Sequence, residues 1–152
     1  MSIVMEIFNN RILISAAAAW LTAQVLKTII HMILNKTFVA ERLVGTGGMP
    51  SSHSATVCSL ATAVALNYGL GGGEFAVAFI LAVVVMYDAL GVRRETGRQA
   101  KVINEMMETF SDMGKPMSVE DKLKEFVGHS PIQVFAGAVL GVFMAYIICN
   151  FF

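Results

Sequence analysis

The chain has 152 residues, 11 acidic and 11 basic side chains, no formal net charge and a mean hydropathy of +0.67; 56% of it is hydrophobic and 14% charged. An ordinary soluble domain carries roughly 25% charged residues, so too little polar surface is present to cover a globule in water. The absence of net charge removes any electrostatic case for nucleic-acid binding.

Four apolar segments can be measured against the roughly 20 residues needed to cross hydrocarbon: 12–34, 54–70, 75–92 and 131–152. They predict an all-α, polytopic membrane bundle, a single domain over residues 1–152 with about four spans and an amphipathic cytoplasmic helix. Cys58 and Cys149 both fall inside these segments, where each reads as a small packing residue and not as half of a disulfide framework.

The first segment is longer than the apolar stretch of a cleavable signal, which has about 7–15 residues, and is expected to remain in the protein. Within it Gln24, Lys27, Thr28, His31 and Asn35 recur at spacings of three and four, giving an apolar helix one polar face. Ionisable residues at such depth face a bundle interior or a wet cavity; the alternatives are a snorkelling Lys27 and a His31 that only packs. The run Gly-Thr-Gly-Gly-Met-Pro-Ser-Ser-His-Ser at 45–54 then leads into the second segment. Its glycines permit close backbone approach, and the amides of the following helical turn attract anions. Gly47, Gly48, Ser51 and Ser52 therefore make a candidate phosphate cradle, with His53 able to pass a proton to an oxygen leaving phosphorus. The plainer reading is a helix cap.

A glycine-rich link at 69–73 is short enough for a tight turn, so the second and third segments are expected to form an antiparallel hairpin. Asp88 stands near the end of the third, followed closely by Arg93 and Arg94. Guanidinium groups suit phosphate, although juxtamembrane arginines also set topology. In the long connection from 93 to 130, Ala100, Ile103, Met106 or Met107, and Phe110 recur at helical spacing. This predicts a helix lying at the membrane surface or one packed on its own protein. A turn is expected over 111–116 and a further short helix from Ser118 with Asp121. His129 opens the last segment, in which Gly137 and Gly141 lie four apart. Small residues at that interval allow close helix packing, and the same face could take a second copy in a homodimer.

Four spans gather every loop lysine and arginine except Arg11 on one side, which the positive-inside tendency makes cytoplasmic. All the polar elements above reach that side, as one site in the cytoplasmic membrane of a bacterium would require. A metal site built from His31, His53, Asp88 and His129 lacks any short histidine spacing to support it.

The Pro50-Ser51-Ser52-His53 and Gly128-His129-Ser130-Pro131 motifs, with 88–99 between them, resemble the divergent branch of the type 2 phosphatidic acid phosphatase family, related to vanadium haloperoxidases. The resemblance runs over about 24–141. It implies phosphoryl transfer through a phosphohistidine without metal or other cofactor. His129 falls on the nucleophile and His53 on the acid, and Lys27 is the remnant of a cationic first motif. The implied partners are membrane lipids and a lipid or polyprenyl phosphate. Two positions depart from the main family's pattern: Gln133 replaces an aspartate four residues after the nucleophile, and Leu123 an arginine six before it. Asp88, with Glu125 behind it, is the candidate replacement acid, and Arg93 or Arg94 the replacement cation. The alternative is a lipid-phosphate binding or transport protein that kept the anion site without the chemistry.

Overall fold

The structure, a computed structural model, describes residues 3–36, 48–112 and 130–151. Among them the only regular elements are helices: α1 (Ile3–Phe8), α2 (Arg11–Asn35), α3 (Ser52–Tyr68), α4 (Gly73–Leu90), α5 (Val92–Asp112) and α6 (Pro131–Phe151). Short polar side chains set the starts of three. Asn10 Oδ1 accepts from the amides of Ile12 and Leu13, each at 3.1 Å, and Ser51 Oγ accepts from the Ser54 amide at 3.4 Å. At α6 the Ser-x-x-Gln pattern closes a reciprocal cap ahead of Pro131 in the first helical position. There Gln133 Oε1 accepts from the Ser130 amide at 3.0 Å, and Ser130 Oγ from the Gln133 amide at 3.4 Å. The Ser51 cap is also why α3 begins at Ser52, two residues earlier than the hydropathy boundary.

Among the described residues three helices are long and apolar enough to cross a membrane: α2, the helix containing α4, and α6. Helix α3 is shorter, with 17 residues, or about 25 Å at 1.5 Å per residue. It is the centre of the bundle, and α2, α4 and α6 all pack on it. Helices α2 and α6 also pack on each other, whereas α2 and α4 do not meet. Among the described residues, α6 therefore packs against α2, α3 and α4, while α3 stands between α2 and α4.

Small residues hold the bundle together. Ala19 and Ala23 of α2 meet Ala55 of α3, with Leu140 and Met144 of α6 against them. Val57, Ala61 and Val64 of α3 meet Ala78 and Ala82 of α4. Lipid is as apolar as leucine, so close packing and hydrogen bonds, not transfer from water, drive such contacts. A Cβ on Gly137 would overlap the Ser51 carbonyl oxygen and stand 3.0 Å from Ser54 Cβ; one on Gly141 would overlap the Ala55 carbonyl oxygen and stand 2.9 Å from the Ser59 nitrogen. That glycine face is occupied by α3 within the chain and does not offer a dimer surface. Large apolar side chains point outward instead, among them Val77, Ile80 and Val84 of α4 and Phe135, Val139 and Phe143 of α6. Such a surface suits lipid and would be a liability in water.

Gly69, at φ +81°, ends α3 and starts the turn into α4, giving the expected hairpin. Both cysteines are free. Cys58 Sγ lies 3.6 Å from Met86 Sδ, and Cys149 Sγ accepts from Asn67 Nδ2 at 3.5 Å and stands 3.8 Å from Ser15 Oγ. Helix α5 confirms the periodicity read from 100–110 and continues through Ser111 and Asp112, where a turn had been expected. The proposed helix from Ser118 lies outside the described residues.

Candidate functional site

The polar face of α2 becomes more exposed toward its end: Gln24, Lys27 and Thr28 are buried, His31 is half-buried and Asn35 is exposed. Lys27 is only 2% exposed and lies eight residues before Asn35, about 12 Å along the axis. It does not snorkel. Its Nζ donates to Gln24 Oε1 at 2.5 Å and to Ser52 Oγ at 3.5 Å. Gln24 is itself 3% exposed, and its backbone carbonyl accepts from Thr28 Oγ1 at 2.9 Å. A buried ammonium thus sits beside the first residue of α3, where the helix dipole and first-turn amides also favour an anion.

The segment entering α3 is shaped to reach that point. Gly48 has φ +89°, and the Met49–Pro50 peptide is cis. Ser51 and Ser54 are fully buried and Ser52 nearly so, with Ser54 Oγ 3.1 Å from Ser51 Oγ. The Ser51 amide donates to the Gln133 carbonyl oxygen at 3.0 Å. This bond ties the start of α3 to the start of α6, so Ser51 and Ser52 share one end of the bundle with Ser130 and Pro131. His53 is half-buried, with its Nδ1 atom enclosed. Asp88 is half-buried two residues beyond Met86, whose contact with Cys58 puts Asp88 level with the second turn of α3.

Of the residues singled out by sequence, Lys27 meets Ser52, which Gly48, Ser51 and His53 adjoin in the chain, and Asp88 lies at the same end. Arg93 and Arg94 belong to the first turn of α5, immediately beyond α4. Gly47, Glu125 and His129 lie outside the described residues, although the Ser130 that follows His129 begins the α6 cap.

This pairing of a buried lysine with a Pro-Ser-Ser-His helix start coincides with a family assignment. A family model described as "Divergent PAP2 family" matches residues 8–144. The chain belongs to the divergent PAP2 family. A relative described as the uncharacterized membrane protein YuiD of Bacillus subtilis (strain 168) is 43% identical over 157 residues, covering 97% of this chain and 99% of the relative. No solved structure matches. This divergent PAP2 protein is therefore a membrane protein related to the phosphatidic acid phosphatases.

Two site residues escaped the sequence reading. Gln24 belongs to the polar face of α2, and its place three residues before Lys27 allows their contact. Gln133 stands where the main family has an aspartate, yet its side-chain oxygen caps α6 and its backbone oxygen holds α3. The Ser-x-x-Gln pattern was the available signal.

Proposed function

We propose that the protein is a membrane-embedded phosphatase that hydrolyses a lipid or polyprenyl phosphate or diphosphate through a phosphohistidine, without a metal ion. The observation that carries this reading is the buried Lys27 ammonium within reach of Ser52 at the start of α3. Phosphoryl transfer depends chiefly on positioning and charge stabilisation. Lys27, the Gly47, Gly48 and Ser52 amides, Arg93 and Arg94 would hold the non-bridging oxygens. His129 would attack phosphorus, forming a P–N bond as the P–O bond to the lipid breaks, and His53 would protonate the departing oxygen. Water would then hydrolyse the phosphohistidine. Asp88 is assigned to orient His129. The basic loops favour a cytoplasmic-facing site in a bacterial inner membrane.

A second reading has its own support. Gln133 occupies the position where the main family has a carboxylate and its side-chain oxygen is engaged in the α6 cap, which favours a lipid-phosphate binding or transport protein. Phosphate release from a panel of lipid phosphates and prenyl diphosphates, with chelator present, separates the two. Release that survives chelation and falls at least 10³-fold in His129→Ala, and about 10²–10⁴-fold in His53→Ala, supports the phosphatase. Binding without turnover of any panel member supports the carrier.

A further inference from the structure

Helix α5 carries an apolar side that no described helix covers. Val102, Ile103, Met106 and Phe110 are between 43% and 55% exposed, and at about 100° per residue they gather within a sector of about 100°. Gly97, Ala100 and Asn104 are buried on a second side, and the Lys101–Glu105 ion pair stands on a third. Among the described residues α5 packs on no helix other than α4.

The connection to α4 says what the apolar side meets. Helix α4 has 18 residues, about 27 Å, and so nearly crosses the roughly 30 Å of hydrocarbon by itself. Only Gly91 separates it from α5, which therefore begins at the boundary between hydrocarbon and headgroups. The Gly91 amide donates to the Tyr87 carbonyl oxygen at 2.9 Å and the Glu95 amide to the Gly91 carbonyl oxygen at 3.1 Å, so the helical register passes through the joint. The 18 residues from Val84 to Val102 make five turns. That register carries the exposed side of α4, with Val77 and Val84, into the exposed apolar side of α5. At Gly91 itself, φ −96° and ψ −78° depart from regular helical values of about −63° and −42°, marking the point where the axis turns along the membrane surface. Charge supplies no net attraction, because Arg93, Arg94, Arg98 and Lys101 are matched in number by Glu95, Glu105, Glu108 and Asp112. Four side chains are also far fewer than the roughly 20–30 residues a side of a stable protein interface.

We propose that α5 is an interfacial membrane anchor, whose Val102, Ile103, Met106 and Phe110 insert into the leaflet that α4 leaves, driven by apolar burial and with no requirement for anionic lipid.

The test uses the full chain with Cys58→Ala and Cys149→Ser, reconstituted in phosphatidylcholine nanodiscs, which leave both membrane faces open. A nitrobenzoxadiazole label is attached at Ile103→Cys, Met106→Cys or Lys101→Cys; two apolar positions guard against a local fault in either variant. The labels at 103 and 106 should be quenched severalfold more by a nitroxide near the top of the lipid chains than by aqueous iodide, and the label at 101 the reverse. Added phosphatidylglycerol should leave this pattern unchanged. Labels at 103 and 106 as open to iodide as the one at 101 would place α5 in water and overturn the proposal. Shielding from both quenchers would mean that protein, such as a second copy, covers this side, and would overturn it equally. Insertion seen only with phosphatidylglycerol would overturn the apolar driving force. The measurement involves no phosphate chemistry, so its outcome is independent of the phosphatase reading.

Discussion

A lysine that is 2% exposed inside a membrane bundle is costly to keep, because the charged form loses its hydration. Its cost and its use are therefore separable by experiment. Replacing Lys27 with Met removes both the desolvation penalty and the ligand contact. Turnover of lipid phosphate should fall about 10²–10³-fold, the usual effect of deleting one preorganised donor to a developing anion. The apparent melting temperature in detergent should stay level or rise, as when buried charge gives way to apolar packing. A parallel loss of activity and melting temperature would make Lys27 a structural residue. Ser52→Ala should matter much less, since the contact from Lys27 is at the long end of hydrogen-bonding distance, 3.5 Å.

At the scale of elements, the site depends on how α3 meets α6. The Ser51 amide to Gln133 carbonyl bond and the Ser130–Gln133 cap share one residue. Gln133→Ala should cost about 1 kcal/mol through the cap, and Gln133→Glu, which preserves the reciprocal pattern, should cost much less; chemical denaturation in mixed micelles measures both. The glycines of α6 are more demanding. Gly137→Ala would drive a methyl group into the Ser51 carbonyl, with backbone on the receiving side, and should destabilise the bundle by about 1–3 kcal/mol. It should also reduce activity by displacing the start of α3. A Gly137→Ala protein with unchanged stability would mean that α3 and α6 are less tightly packed than the structure places them.

For the whole molecule, the arrangement predicts opposite exposure of the two ends of α4. In a background with Cys58→Ala and Cys149→Ser, a cysteine placed at Gly71 should react with a membrane-impermeant maleimide in intact cells. One placed at Lys101 should react only after permeabilisation. Reaction of both without permeabilisation would reverse or break the topology. Helix α5 divides into sectors along its length. Gly97, Ala100 and Asn104 are buried, Val102, Ile103, Met106 and Phe110 are exposed, and Arg98 with Glu95 and Lys101 with Glu105 form surface ion pairs. Those pairs are worth little individually.

Membrane residence, the helical class and the approximate limits of the apolar segments were determined by sequence alone, because hydrocarbon demands long apolar runs with their backbone groups paired internally. Local chemistry was equally legible where it acts within one turn: the Ser51 cap, the glycine turn after α3 and the polar face of α2 are all patterns of neighbouring residues. Which residues share a site was decided only by tertiary structure. Nothing near Lys27 in sequence announces Ser52, and the spacing of Gly137 and Gly141 announces close helix packing without saying against which helix. Their actual partner is α3, since that helix, rich in serine and alanine, is the surface small enough for the glycines to approach. Gln133 makes the same point most sharply: as a letter in a motif it was a missing carboxylate, and in the folded chain it is the joint between the helix starts, because hydrogen-bond partners are set by distance in space.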